Sequence, residues 1–571
     1  MTLPERAHAA GVSVAYEDWA GRRTTVAPDV VEKVLAQVGD PAPSRPHTGV
    51  SLPAVPRCWG WQIQLYALHS QRSWGIGDFA DLRDVAVWAA AQGAGLVLVN
   101  PLHAVAPVHP IEASPYSPTS RRFLDVLSIC VPELPEYVAA TDDVRRAVDA
   151  LRPTPSDLVD RDAVWRAKSA ACVLLQPDWI VFHDPDLCEF ALYCALAEKH
   201  GKDWHDWPLP LRNREPSALD DARRTFMIRW SFHAWLQLRA EQQAAGAQAA
   251  ALEAGMAVGI VHDLAVGVDP GGADAWMLQE VLAPGVTVGA PPDSFNQRGQ
   301  DWALPPWRPG ALARAGYEPL RQMITAVLGR GGGVRVDHVM GLFRLWWIPA
   351  GVGPGQGAYV SYDAEAMLDV VCGAAVENDG IVVGEDLGTV EPAVRQALSR
   401  RGVLGSAVLW FERVEDDPLG PPKPVGDWRA DTMASISTHD LPTAVGYLTG
   451  EHVRVRAELG LLGRALSDER ADHEQERSAL LQALVDEGVL ASVDAPLDDV
   501  VVAMHAYLGR TPSTVVLAAP YDVVGETRQP NLPGTTDAYP NWRIPLPLSL
   551  EELRADARVA AVSTVLRAAR P

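Results

Sequence analysis

An α/β fold of the (β/α)8-barrel, TIM type is what this sequence predicts, with large helical insertions between strands 2 and 3 and between strands 7 and 8. Three observations carry that expectation. Eight short apolar runs, each stopping abruptly at a polar residue, recur along the 571 residues. Amphipathic helical stretches separate them. The fourth, fifth and seventh of the runs each carry an acid at the strand end.

The runs are Trp61–Leu68, Gly95–Asn100, Ala257–Asp263, Gly333–His338, Ile381–Asp386, Ala407–Glu412, Ala434–Asp440 and Ser513–Ala519. Most are almost continuously apolar, as parallel strands covered on both faces must be. Helical periodicity falls between them, over Asp78–Gln92, Tyr317–Leu328, Ala364–Val376 and Val390–Ser399. Strands alternating with helices close into a barrel, with an open doubly wound sheet as the alternative.

The uneven spacing of the runs locates the insertions. Helical stretches at Thr141–Leu151, Asp160–Leu175, Asp186–Lys199 and Ser217–Gly246 fill an insertion over about 105–255. A second helical insertion covers about 450–510. A Gly/Pro/Trp-rich segment, about 284–309, reads as a long substrate-facing loop. Residues 1–55 precede the first run as a short appendage, one helix (Pro28–Val38) and a Pro-rich link. The barrel and its insertions then occupy 56–571.

Composition narrows the function classes. Forty-nine Lys and Arg face 72 Asp and Glu, a formal charge of −23. Such a surface repels nucleic acid and anionic lipid. No N-terminal apolar run resembles a signal peptide, and the six cysteines form no CxxC pair, so the expectation is a cytoplasmic chain with reduced thiols. No metal or other cofactor is expected: HExxH, a phosphate loop ending in Lys-Ser/Thr and GxSxG are all missing. Nineteen tryptophans against nine phenylalanines make the loop tryptophans candidates for stacking on sugar rings.

The chemistry sits at the strand ends. In such a barrel, catalytic groups stand where strands give way to βα loops. There the fourth, fifth and seventh runs present Asp337 (RVDH), Glu385 (VGED) and Asp440 (STHD). Neighbouring carboxylates split in pKa, so one donates a proton while another attacks, the requirement of retaining glycoside chemistry. Arg335, two residues before Asp337, shares its strand face and is expected to hold it ionised. His338 and His439 flank acids and suit hydrogen bonding to sugar hydroxyls. His262 and Asp386 read equally well as structural groups.

Eight stretches, in order, then carry a resemblance. They are SWGIGDFADL (73–82), SPYSPTSRRFLD (114–125), GAPPDSFNQRGQDWALPPW (289–307), GVRVDHVMGLFRLWWIP (333–349), QGAYVSYD (356–363), VVGEDLGTV (382–390), STHDLPTAVGY (437–447) and NLPGTTDAYPNWR (531–543). On these the chain resembles the amylomaltase, or disproportionating-enzyme, family of 4-α-glucanotransferases, in the α-amylase-like clan. The resemblance implies Asp337 as nucleophile, Glu385 as general acid/base and Asp440 as the third acid gripping sugar hydroxyls. It places Arg335, His338, His439, Asp263, Trp302, Tyr116, Gln300 and Asp293 among the substrate-binding residues. It implies α-1,4-glucan partners, maltooligosaccharides or glycogen- and starch-type glucans, with Trp302 and Trp307 on a loop that covers the site. A hydrolase of the α-amylase type and a non-catalytic glucan-binding barrel are the competing readings. One departure stands out: longer bacterial members place a β-sandwich-like region after the N-terminal helix, where this chain has only a short link.

Overall fold

The computed structural model describes residues 1–570 except 19, 20, 42–45, 178, 179, 181, 293–297 and 389, and the side chain of 416. Eight strands form the central sheet: β1 (Cys58–Ile63), β2 (Leu96–Val99), β3 (Gly259–Leu264), β4 (Gly333–Val336), β5 (Ile381–Gly384), β6 (Gly405–Val408), β7 (Thr432–Ser435) and β8 (Val515–Ala518). Their order is β5-β4-β3-β2-β1-β8-β7-β6, and every pairing is parallel. A bridge from Val383 to Leu404 joins β5 to the approach of β6 and closes the ring. Closure leaves no unpaired strand edge.

Alternation along the strands fills the barrel. Cys58, Leu96, Leu98, Val261, Val383, Met433, Val515 and Leu517 pack as one buried cluster inside it. The outward residues join larger cores beneath the helices. Every second residue of a strand therefore points inward, and at the carboxyl ends the inward residues become polar.

Three strands, β1, β6 and β7, begin earlier than the apolar runs suggested. β1 stops at Ile63, and Leu65–Ala67 forms a 3₁₀ turn. The Asn100 side chain accepts the Leu65 N–H at 2.7 Å, which frees that residue from the ladder. β6 ends at Val408, where the Phe411 N–H turns back onto the Val408 carbonyl.

Between β2 and β3 lie helices Asp142–Asp149, Arg161–Leu175, Pro185–His200, Pro216–Thr225 and Met227–Glu253. The single helix expected over 217–246 is thus two, broken at Phe226, whose ring makes a T-shaped contact with His200. Before β8 come Glu451–Glu458, Leu466–Asp486 and Leu497–Arg510.

Two strands lie within 284–309, where the sequence suggested only a loop. Val286–Ala290 and Gln300–Leu304 pair antiparallel and extend a four-stranded sheet through Arg344–Pro349 to Ala358–Ser361. Gly289 makes the pairing possible, since a Cβ there would lie 1.9 Å from the Gln300 carbonyl. The N-terminal residues brace this sheet. Val12 bridges to Val360, and Val30, Val31, Val34 and Val38 of helix Pro28–Val38 share its core.

Candidate active site

The floor of the site follows from strand register. Arg335 lies opposite Asp263 on one side and Val383 on the other, and Val336 lies opposite Gly384. Asp337 and Glu385 are the next residues along β4 and β5, so register alone brings their carboxylates side by side. The ladder continues far enough to fix both: Asp337 donates its N–H to the Leu264 carbonyl at 3.1 Å, and Glu385 to that of Val336 at 2.9 Å.

One guanidinium nitrogen of Arg335 binds Asp263 Oδ1 at 2.7 Å and Asp337 Oδ1 at 3.1 Å. Glu385 is held differently, by backbone donors. Its Oε2 accepts the His338 N–H at 3.1 Å and its Oε1 the Leu387 N–H at 2.6 Å. The first of these requires the chain to double back just after Asp337. His338 does so at φ 47°, a left-handed conformation rare outside glycine.

The facing wall is built from loops. Past β7 the chain runs on to His439 and Asp440, whose Nε2 and Oδ2 stand 3.4 Å apart. Asn531 donates its side-chain amide to Asp440 Oδ1 at 2.6 Å and its N–H to the His439 carbonyl at 3.0 Å. Gln529 donates to the Asp440 carbonyl at 3.1 Å. Tyr116, from the insertion after β2, donates its hydroxyl to Asp263 Oδ2 at 2.6 Å and lies 3.0 Å from His439 Nδ1. Trp542 packs on both rings, with centroids 5.3 Å from Tyr116 and 5.2 Å from His439. It does so at φ 60°, a second strained non-glycine residue in the site.

Between the walls opens a cleft of about 1140 Å³, lined by Asp337, Glu385, Asp440, His338, His439 and Tyr116 among others. Gln300 and Trp302 reach it from the antiparallel sheet. Trp302 donates its indole N–H to Gln300 Oε1 at 3.0 Å and meets His338 edge-on, with centroids 5.0 Å apart. Arg335 and Asp263 sit beneath the lining, 8% and 4% exposed. Of the expected residues, Asp293 lies outside the described residues. Trp307 does not face the cleft: it is buried under the Arg121 guanidinium, with its carbonyl taken by the Tyr362 hydroxyl.

Burial dominates the electrostatics. It pushes the Asp337 carboxyl up to about 7, with Asp263 and Glu385 adding to the rise and Arg335 opposing it. The expectation that Arg335 holds Asp337 below its ordinary range therefore fails. The guanidinium is shared with Asp263 at the shorter distance, and desolvation outweighs it. Glu385 is also raised, by burial against the pull of Arg335 and its two N–H donors. His338 is pushed down to about 4 by burial and stays neutral. Burial alone would raise Asp440, but His439 and Asn531 hold it below its ordinary value. Two raised neighbours share protons as a pair. One protonated carboxyl beside one ionised carboxylate is the state that proton donation and nucleophilic attack together need.

Other acids and histidines resolve as structure. Asp386 is 1% exposed and tied to Arg429 at 2.7 Å and Arg395 at 3.2 Å. His262 is buried against the Arg330 carbonyl at 3.2 Å. Among the described residues no cluster of three His, Cys, Asp or Glu is placed to hold a metal. Asn531 and Trp542 are site residues that strand-end reasoning misses, because they lie on a loop after β8. Their only signal is the stretch NLPGTTDAYPNWR, polar and aromatic with no strand pattern.

Comparisons with known proteins place the chain in a family. The 4-alpha-glucanotransferase of Mycobacterium tuberculosis (strain ATCC 25618 / H37Rv) is 47% identical over 546 residues, covering 90% of this chain and 75% of its own. That of Haemophilus influenzae is 32% identical over 533 residues, 85% of this chain and 75% of its own. An amylomaltase structure from Corynebacterium glutamicum superposes with a TM-score of 0.86 at 30% identity, over 99% of both chains. An amylomaltase from Streptococcus agalactiae, in complex with acarbose, shares the fold at a TM-score of 0.68 and 17% identity, over 90% of this chain and 99% of that one. The 4-alpha-glucanotransferase family profile matches residues 63–550, and the chain belongs to that family.

Proposed function

We propose that Asp337, Glu385 and Asp440 are the catalytic acids of a 4-α-glucan transfer that proceeds by double displacement. The observation that carries the assignment is the neighbouring register of Asp337 and Glu385 at the cleft floor, with both carboxyls raised by burial. Glu385, protonated, gives its proton to the leaving glycosidic oxygen as Asp337 attacks the anomeric carbon. The released chain departs and a glycosyl ester on Asp337 remains. The 4-hydroxyl of a second glucan then enters, loses its proton to Glu385 and displaces Asp337, so the new link is again α.

The two N–H donors on Glu385 suit this exchange, since they stabilise it each time it gives up its proton. Asp440, with its side chain 44% exposed to the cleft, is placed to accept sugar hydroxyls, with His439 and His338 beside it. Trp302 and Gln300 offer an apolar face and an amide from the opposite edge. Water must be kept from the ester for transfer to win, and the antiparallel sheet that carries Trp302 overhangs the floor on that side.

The substrates are α-glucans, and we assign α-1,4-linked maltooligosaccharides as donors and acceptors. A cytoplasmic site of action accords with six cysteines that form no disulfide. No helix among the described residues is long and apolar enough to cross a membrane.

Incubation with maltotriose tests the reading. Transfer yields glucose together with maltotetraose and longer chains, and Asp337→Asn abolishes both. Glucose and maltose as the only products would instead establish a hydrolase, and unchanged turnover by Asp337→Asn would remove the nucleophile assignment.

A further inference from the structure

The two walls of the cleft are joined by one unbroken chain of polar contacts. It runs from Asp440 Oδ2 to His439 Nε2 (3.4 Å), from His439 Nδ1 to the Tyr116 hydroxyl (3.0 Å) and on to Asp263 Oδ2 (2.6 Å). From Asp263 Oδ1 it passes through Arg335 (2.7 Å) to Asp337 (3.1 Å). Counting protons along it has a definite result.

Asp263 receives a guanidinium on one oxygen, so it stands as a carboxylate and its other oxygen is an acceptor. The contact of 2.6 Å to Tyr116 then needs the phenol's proton, and a phenol has only one. Tyr116 can therefore meet His439 only with a lone pair, so Nδ1 must carry a hydrogen. On the far side Nε2 faces Asp440, whose other oxygen already takes the Asn531 amide at 2.6 Å. At 3.4 Å a hydrogen on Nε2 makes that contact an attractive ion pair, whereas a bare lone pair would face a carboxylate oxygen.

We infer that His439 is a doubly protonated, positively charged imidazolium in the resting enzyme, and that Tyr116 is the positioning residue that keeps it so by committing its own proton to Asp263.

The surrounding charges agree. The groups that act on His439 from the packed elements are Asp440 on its own segment, Asp263 of β3, and Arg335 and Asp337 of β4. Three carboxylates thus stand against one guanidinium. Burial of the ring works against the charge, and Asp440 outweighs it, leaving His439 above its ordinary value. The Trp542 ring at 5.2 Å adds an aromatic neighbour. The inference rests on the proposed catalytic assignment only in giving the charge a purpose. An imidazolium beside Asp440 holds the third acid ionised at that end of the cleft.

The test is nitrogen-15 NMR of histidine-labelled full-length enzyme across pH 5–10, with the His439 signals assigned by their loss in His439→Gln. At pH 7 both ring nitrogens of wild-type His439 should carry protons. In Tyr116→Phe the ring loses an acceptor for Nδ1–H, and its titration midpoint should fall by about one unit. A neutral ring at pH 7 in the wild type overturns the inference, and that result needs no variant to fold. An unchanged midpoint in a folded Tyr116→Phe overturns the role of Tyr116. Neither result bears on Asp337 or Glu385, whose roles are read from the activity of their own variants.

Discussion

The two walls of the cleft achieve precision by different means. The β3–β5 wall places Asp263, Arg335, Asp337 and Glu385 by strand register, and the backbone ladder fixes them before any side-chain contact is made. The facing wall has no strand beneath its working residues. Tyr116, the neighbours His439 and Asp440, and Asn531 come from three separate loops and hold one another through side-chain polar contacts. A ladder tolerates the loss of one side chain, whereas a set of mutual clamps loses a neighbour's position with each deletion. Chemistry that needs fixed spacing is built on the first wall, and recognition on the second.

The largest effect should come from the first wall. Glu385→Gln keeps the side chain's size and an acceptor for one of the His338 and Leu387 N–H groups, but removes the transferable proton. A fall in kcat of about 10³- to 10⁴-fold is expected, with unchanged circular dichroism. A loss below tenfold would move the acid/base role elsewhere.

Arg335 comes next. Arg335→Met leaves Asp263 and Asp337 buried without their shared cation, and denaturant unfolding should show a loss of about 3–5 kcal/mol. An effect under 1 kcal/mol would mean that the register of β4 alone supports the floor.

On the facing wall, Asn531→Ala removes one clamp from Asp440. The expected loss in kcat/KM is about 10- to 100-fold, a cost of about 1–3 kcal/mol, with stability little changed. A loss as large as that of Glu385→Gln would erase the distinction between the walls.

The smallest effect is a position on the pH axis. Asp337 must be ionised to attack, and burial sets its carboxyl at about 7, not 3.8. The acid limb of kcat/KM should therefore fall as pH drops through neutrality, reporting the Asp337–Glu385 pair jointly. A limb near pH 4 would show that substrate-free burial does not govern the nucleophile.

How much of this could be read from sequence differs between the same two walls. Asp337 and Glu385 were legible because an almost continuous apolar run with an abrupt apolar-to-polar step marks a barrel strand's end. Arg335 was legible as a neighbour of Asp337, but the sign of its net effect was not. The partner that takes its shorter bond, Asp263, lies 72 residues away, and desolvation depends on packing that no local pattern reports. The 284–309 segment was misread as irregular because its strands are short and flanked by Gly and Pro. The same misreading turned Trp307 outward when it belongs to the core. Asn531 and Trp542 had no periodic signal at all, since their positions come from hydrogen bonds and ring packing across distant loops.

The left-handed turn at His338 ties stability to function at one backbone position. Proline is barred there twice over, by its fixed negative φ and by its missing N–H, which Glu385 requires. Glycine would relax the torsion but strip away the ring that meets Trp302. Relief of the strain at this residue therefore comes only with loss of the ring that meets Trp302 or of the N–H that Glu385 accepts.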